Sequence, residues 1–273
     1  MSAATLTPTT ARTPAAAGKS YALRDSLTML GRNLKRAKRY PSMTISVVSM
    51  PIVMLLLFVF VFGGALGNGI GGGGEYIDYV APGILLMAIA SGSLSTAISV
   101  AMDMTEGIIN RFRTMPISRA AVLTGHVIGG VIQTMLSLVL VLAVALLCGF
   151  RPNANVVEWV AAFGVLTLLA FALTWISAAM GLSSKSVETA SNAPMPITFL
   201  PFLGSAIVTT DSMPTGVRWF AEYQPFTPLT ETLRGLLMGT PIGNNGWIAL
   251  AWGVGLSLVG YLWARAAFNR PAK

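Results

Sequence analysis

A segment of eleven residues combines charge with a regular apolar pattern. It runs from Glu106 to Pro116, with the sequence EGIINRFRTMP, and uncharged runs lie on both sides of it. At helical spacing its apolar side chains fall on one face and its polar side chains on the other, with Pro116 closing the turn. The pattern predicts a short amphipathic helix whose apolar face lies either on lipid or in a hydrophobic groove of a soluble partner. The apolar positions are Ile108, Ile109, Phe112 and Met115, and the polar positions are Asn110, Arg111, Arg113 and Thr114.

A second stretch, TPAAAGKS at 13–20, ends like the phosphate-binding loop of nucleotide hydrolases. That loop needs glycine at both ends of the G-x-x-x-x-G-K-[ST] frame, because its backbone amides wrap the phosphates. Thr13 replaces the first glycine, and a Thr/Pro-rich tail rather than an apolar strand precedes it. We interpret the match as accidental and expect that the chain does not hydrolyse ATP by itself.

Residue types that bind metals or catalyse reactions are scarce. Cys148 is the single cysteine and His126 the single histidine, so the sequence offers no disulfide and no zinc or haem ligand set. His126 is predicted about one turn inside the end of a helix, where an interface histidine and a proton relay are the two alternatives. A lipid-modifying enzyme would need Ser, His and Asp together at one interface, and His126 lies on the opposite side from any outer Asp. We predict no catalytic residue, cofactor site or metal site.

The elements that position these residues are predicted to be membrane helices. Hydrophobic residues make up 54% of the chain and charged residues 10%, against roughly 25% charged in a soluble domain. Several apolar blocks are free of Asp, Glu, Lys and Arg and are long enough to cross a hydrocarbon core of roughly 30 Å as helices. The fold class is therefore all-α, a polytopic membrane protein whose domain at 41–273 has six transmembrane helices. The predicted spans are at about 44–66, 79–102, 120–150, 159–182, 192–210 and 246–264.

The part of the chain before the first span divides into a tail and an amphipathic helix. Residues 1–19 are rich in Thr, Ala and Pro without the apolar stretch of a signal peptide, and we expect a disordered cytoplasmic tail. In 20–40, leucines recur at helical spacing while basic residues occupy mostly other faces. This pattern predicts a helix lying on the inner leaflet, with a docking surface for a cytoplasmic partner as the alternative. The leucines are Leu23, Leu27, Leu30 and Leu34.

The distribution of positive charge predicts the orientation. With six spans both termini share one side of the membrane, and 15 of the 18 Lys and Arg residues fall on that side together with the Glu106 segment. The positive-inside rule assigns this side to the cytoplasm of a cell membrane. The net charge of +8 therefore indicates topology and contact with anionic lipid, and we expect no nucleic-acid partner.

The interior of the predicted spans argues against one transport mechanism. An ion-coupled carrier usually has a carboxylate near the middle of the membrane, and none is predicted here. Pro194, Pro196 and Pro201 remove backbone donors from the fifth span and should bend or break it. They are candidates for lining a pathway, and an immobile packed kink is the alternative. Ala88, Gly92 and Thr96 share one helix face and predict close helix packing.

The longest loop, from Asp211 to Asn245, is predicted to lie outside the cell. Its apolar stripes are interrupted at Pro225 and Pro228. We predict two short helices there, at or dipping into the outer interface.

Two motifs resemble those of ABC-2 type transporter permeases. The first resembles the signature E-G-x-x-x-R-x-x-x-x-P-x-S-R, and the second resembles the stretch that precedes the last span in this family. The resemblance covers nearly the whole chain after the tail, and among these permeases the chain is most similar to the drug-export type related to daunorubicin-resistance membrane subunits. The first motif includes Glu106, Gly107, Arg111, Pro116 and Arg119, and the second includes Pro225, Pro228, Glu231, Arg234 and Gly239.

The resemblance implies a permease without catalytic activity that works as a homodimer or with a second permease. A separate ABC ATP-binding subunit would hold ATP and Mg, and its closure would be received by a coupling helix. Hydrophobic or amphipathic compounds would be exported, with lipid-linked polysaccharide export or an ion-coupled carrier as alternatives. Asn110 departs from the family, which often has an acidic residue there. The implied coupling residues are Glu106, Gly107, Ile108, Ile109, Arg111, Phe112, Arg113, Met115, Pro116 and Arg119.

Overall fold

The computed structural model describes residues 31, 41–67, 76–107 and 119–269. All the regular elements in these ranges are helices, as the all-α prediction requires. The predicted tail at 1–19 and most of the predicted interfacial helix at 20–40 lie outside the described residues, so both stay predictions. The α-helices are α1 (Pro41–Leu56), α2 (Gly63–Gly67), α3 (Tyr76–Thr105), α4 (Arg119–Leu147), α5 (Val156–Ser183), α6 (Val187–Asn192), α7 (Met195–Phe199), α8 (Thr215–Tyr223), α9 (Phe226–Met238) and α10 (Asn245–Phe268).

Four helices are long and apolar enough to cross a membrane. They correspond to the second, third, fourth and sixth predicted spans, and their lengths follow from uncharged blocks of 20 residues or more. The described parts that qualify are Tyr76–Thr105, Leu123–Leu147, Val156–Ser183 and Asn245–Phe268.

The helix α3 is longer than the predicted span at 79–102. It begins at Tyr76 and ends at Thr105, so the helix also includes Asp78 and Asp103, which flank the uncharged predicted span. The span was delimited by the absence of charge, whereas a helix continues as long as its backbone hydrogen bonds and packing allow. Asp103 is only 1% exposed, which places a carboxylate inside the helical bundle.

The first predicted span is interrupted rather than regular. α1 contains Pro51, the chain continues as a π-helical turn at Leu57–Val61, and α2 follows after Phe62. α1 and the π-helical turn together run from Pro41 to Val61, and the apolar part of this helix includes Val48–Val61. The count of six spans therefore stays a prediction.

The fifth predicted span at 192–210 is broken into short pieces. α6 ends at Asn192, α7 covers Met195–Phe199, and a single 3-10 turn follows at Leu200–Leu203. Proline lacks a backbone N–H and clashes with the preceding turn, so an α-helix cannot continue regularly through three prolines in eight residues. The predicted break in the fifth span is thus confirmed.

The helix α3 forms the centre of the bundle. Nearly all of its residues from Val80 to Ala90 are buried, and it packs against α1, α4, α5, α6 and α9. α10 packs on α5 and leaves large apolar side chains such as Trp247, Val254 and Leu258 exposed. An exposed apolar surface on a helix of this length is suited to contact with lipid.

Candidate functional site

The predicted coupling helix lies mostly outside the described residues, but both of its attachment points are described. α3 ends at Thr105, Glu106 is exposed, and Gly107 has a left-handed φ of 70°. Gly107 donates its N–H to the carbonyl of Met104 at 3.1 Å. A glycine in this conformation ends a helix without steric cost, so the Glu-Gly pair turns the chain out of α3.

The predicted coupling segment between Gly107 and Arg119 lies outside the described residues. Arg119 is the first residue of α4, into which the segment leads. The amphipathic helix itself stays a prediction for the residues that lie outside the described ranges. These are Ile108, Ile109, Arg111, Phe112, Arg113, Met115 and Pro116.

A buried polar pair joins the two helices that flank this segment. His126 Nε2 of α4 lies 3.1 Å from Asp103 Oδ2 of α3, and the two side chains are 4% and 1% exposed. The sequence prediction missed this pair, because it ended the span at Met102 and treated His126 alone. The available signal was weak: one acidic residue and the single histidine, each near the same end of neighbouring helices.

The same two helices interlock farther along their length. A Cβ atom at Gly92 of α3 would lie 2.7 Å from Thr134 Oγ1 of α4, and one at Gly130 of α4 would collide with Thr96 Oγ1 of α3. Each glycine thus accommodates a threonine of the opposite helix. The close packing predicted for the Gly92 and Thr96 face is confirmed, and it is the small side chains that permit it.

The outer-helix motif centres on a buried arginine. Arg234 of α9 donates through Nη2 to the carbonyl of Ser205 at 2.9 Å and to that of Tyr79 at 3.1 Å. Its Nη1 lies 2.6 Å from Glu231 Oε1. Since the side chain of Arg234 is 8% exposed, these are charge-assisted hydrogen bonds in a largely water-free place. Arg234 therefore connects α9, the start of α3 and the chain that follows the broken fifth segment.

The other residues of this motif shape α9. Pro225 precedes its first residue, Pro228 lies buried in its first turn, and Gly239 ends it with a left-handed φ of 75°. The Gly239 N–H donates to the Gly235 carbonyl at 2.9 Å. The two predicted short helices are thus present as α8 and α9, and within the motif Glu231 and Arg234 form an ion pair.

A polar cluster beside Arg234 holds the end of the broken segment against α9. The Ser205 N–H donates to Thr227 Oγ1 at 3.3 Å, and the Phe226 N–H donates to Gln224 Oε1 at 3.3 Å. Gly204 lies so close that a Cβ there would collide with Gln224 Nε2. On the opposite side, the Tyr79 hydroxyl donates to the Ser205 carbonyl at 3.1 Å. The segment is thus fixed at this end by hydrogen bonds from two helices.

The three pathway candidates occupy different positions in the broken segment. Pro194 and Pro201 are buried, and Pro196 is exposed. None of them lines the hollow described next. A shallow hollow lies elsewhere, along α5, and is lined by Phe163, Gly164, Thr167, Leu168 and Phe171.

The sequence matches the family model for ABC-2 type transporters over residues 25–238. It is 30% identical to the daunorubicin resistance ABC transporter permease protein DrrB1 of Streptomyces coeruleorubidus over 241 residues, which is 88% of this chain and 81% of that protein. It is 22% identical to the probable doxorubicin resistance ABC transporter permease protein DrrC of Mycobacterium tuberculosis, over 86% of this chain and 84% of the relative.

A third relative carries a more general name. The inner membrane transport permease YadH of Escherichia coli K12 is 23% identical over 75% of this chain and 80% of its own length. The family model covers both polar regions described above, from the exposed Glu106 to Arg234, and the similarity to DrrB1 extends over most of the bundle. The chain belongs to the ABC-2 type transporter family.

Proposed function

We propose that this chain is the transmembrane permease subunit of an ATP-driven ABC exporter in the plasma membrane. Its substrates would be hydrophobic or amphipathic compounds such as drugs or antibiotics. The observation that carries this proposal is the similarity, over 88% of the chain, to a permease named for daunorubicin resistance. ATP and Mg would be bound and hydrolysed by a separate ATP-binding subunit, and the permease would act as a homodimer or with a second permease.

The central helix α3 is a physical route by which movement of the ATP-binding subunit could reach the residues around Arg234. It contains 30 residues, about 45 Å of helix at 1.5 Å per residue. One end leads through Glu106 into the predicted coupling helix, and the other contributes the Tyr79 carbonyl that Arg234 binds. A displacement imposed by the ATP-binding subunit at Glu106 would therefore reach the outer polar cluster through a single helix.

The broken segment is where we expect the bundle to bend during transport. A regular helix moves as a rod, whereas the pieces from Val187 to Leu203 are joined at prolines and can change their relative angles at lower cost. Apolar side chains such as Met195, Phe199 and Leu203 are 49%, 59% and 46% exposed. We propose that this segment, with Pro194, Pro196 and Pro201, borders the path of the substrate.

Reconstitution tests the proposal directly. The permease would be purified with a candidate ABC ATP-binding subunit and placed in proteoliposomes with the ATP-binding side facing outward. Daunorubicin and doxorubicin would be the probes, and their ATP-dependent accumulation in the vesicles would be measured. Export activity predicts accumulation with ATP and none with a non-hydrolysable ATP analogue.

The same vesicles separate the alternatives. Accumulation driven by a proton or sodium gradient without the ATP-binding subunit would establish an ion-coupled carrier instead. Stimulation of ATP hydrolysis by a lipid-linked oligosaccharide but by neither anthracycline would replace the drug-export proposal with polysaccharide export.

A further inference from the structure

The Asp103 and His126 contact lies at the base of the predicted coupling segment. Asp103 comes three residues before Glu106, and His126 lies seven residues after Arg119, about two turns into α4. The contact therefore connects the helix that enters the segment with the helix that leaves it. Any force applied to the segment from the cytoplasm passes these two side chains before it reaches the rest of the bundle.

Apolar side chains lie next to the pair along both helices. Val100, Leu123 and Val127 lie within about one turn of it along the chain and are buried in one apolar cluster. Burying a carboxylate and an imidazole in such a place is costly unless the groups satisfy each other. A carboxylate only accepts hydrogen bonds, so the Nε2–H of His126 donates to Asp103. Apolar side chains would fill this space at lower cost, but without a directional bond between the helices.

The pair continues the interlocked part of the two helices. The Thr96 and Gly130 contact and the Gly92 and Thr134 contact follow it toward the middle of the bundle. Near the end of α3 the hydrogen bond between Asp103 and His126 is a polar contact that joins the two described helix ends. Without it, the ends could spread apart while the interlocked middle stays closed.

We propose that Asp103 and His126 are positioning residues for coupling to ATP hydrolysis. Their hydrogen bond fixes the separation of the two attachment points of the coupling segment. Movement of the ATP-binding subunit is then transmitted to α3 and α4 together instead of being absorbed by opening of the loop. This inference rests on the proposed function, because it assigns a role to the contact between the permease and its ATP-binding subunit.

Two matched substitutions at Asp103 test the role. Asp103→Asn retains an oxygen that accepts from His126, whereas Asp103→Leu has a similar size and removes the acceptor. Loss of a hydrogen bond to a charged group weakens a contact by about tenfold or more. We expect Asp103→Leu to lower daunorubicin transported per ATP hydrolysed about tenfold, and Asp103→Asn to stay within about twofold of the unmodified protein.

The kinetic pattern distinguishes positioning from general damage. The KM for ATP and the amount of ATP-binding subunit that co-purifies should be unchanged in Asp103→Leu, since neither group touches nucleotide. His126→Leu should reproduce the defect, and the double variant Asp103→Leu with His126→Leu should be no worse than either single one, because one contact is removed in all three. Normal transport per ATP in the single Leu variants would overturn the inference.

A distance measurement covers the case in which a variant is inactive for other reasons. Spin labels would be attached at Thr105→Cys and Ala120→Cys in a Cys148→Ala background, in nanodiscs. The distance distribution should be narrow in the parent and in Asp103→Asn and broader in Asp103→Leu. An unchanged distribution in Asp103→Leu would refute the inference. Failure of the unmodified complex to transport with ATP would instead refute the proposed function, and the distance result would stand separately.

Discussion

The guanidinium carbon of Arg234 lies 3.8 Å from the centroid of the Tyr79 ring, while the same guanidinium donates to the Tyr79 carbonyl. One residue thus contacts both the side chain and the backbone of the other. Stacking on the ring orients the planar guanidinium, and the hydrogen bonds fix its distance from the first turn of α3. Arg234 is therefore held by α3 as firmly as by its own helix.

Replacing Arg234 should destabilise the outer part of the bundle. Arg234→Ala leaves the carbonyls of Tyr79 and Ser205 and the carboxylate of Glu231 without this partner, and leaving buried hydrogen-bond acceptors unsatisfied costs about 1 to 3 kcal/mol. Arg234→Lys should recover only part of the loss, because an ammonium cannot form the same fork. Thermal unfolding in detergent would measure the change.

An arginine in the neighbouring helix provides the matched control. Arg218 of α8 pairs with Glu222 at 2.7 Å, but its side chain is 44% exposed. Exposed pairs of this kind contribute little to stability, so Arg218→Ala should scarcely change the unfolding temperature. Equal losses at Arg218 and Arg234 would contradict the role given to the buried network.

The coupling helix can be tested through its predicted apolar face. Phe112→Asp would place a charge in the contact with the ATP-binding subunit and remove an aromatic anchor, with a cost of several kcal/mol. We expect loss of co-purification and of transport, with normal membrane insertion. Thr114→Asp, on the predicted opposite face, should assemble. Wild-type yields of complex and of transport for Phe112→Asp would refute the docking face, and the lipid-surface alternative would then hold.

The interlock between α3 and α4 predicts a sharp difference between two glycines. A Cβ at Gly130 would meet Thr96 Oγ1 and would lie 2.9 Å from Thr174 Cγ2, and overpacking of this kind costs about 1 to 3 kcal/mol. At Gly164 of α5 a Cβ meets nothing within 4 Å. We expect Gly130→Ala to lower the unfolding temperature and Gly164→Ala to leave it unchanged or higher. Addition of Thr96→Ala should restore part of the loss at Gly130.

The predicted topology can be checked with single cysteines in a Cys148→Ala background. Cysteines at Asn153 and Gly243 should react with an impermeant thiol reagent added to intact cells, because both lie in connections assigned to the outside. A cysteine at Ser184, between α5 and α6, should react only after the cells are opened. Reaction at Ser184 in intact cells would overturn the six-span arrangement.

The sequence predicts α4, α5 and α10 closely because uncharged length alone nearly determines a membrane-spanning helix. The three prolines likewise predict the break after Asn192, since their effect on the backbone is local. The contact between Asp103 and His126 could not be predicted in this way, because it is not a local property of the chain. These residues are 23 positions apart in the chain, and their contact depends on the relative rotation and depth of two helices. The sequence indicates the motif that contains Arg234, but it does not indicate which carbonyl groups Arg234 binds. Every residue has a backbone carbonyl, so the residue type does not identify an acceptor.

The alternation of glycine and threonine between α3 and α4 restricts how this protein can change shape. A slide of one helical turn, about 5.4 Å, would in one direction bring Thr96 opposite Thr134, two branched side chains where each now meets a glycine. Shear in that direction is thereby blocked, whereas tilting of α3 and α4 as one body is not. Alternating access of the substrate path to the two sides of the membrane would then arise from rocking of this helix pair against its neighbours. The broken segment that contains the three prolines would bend to accommodate this motion.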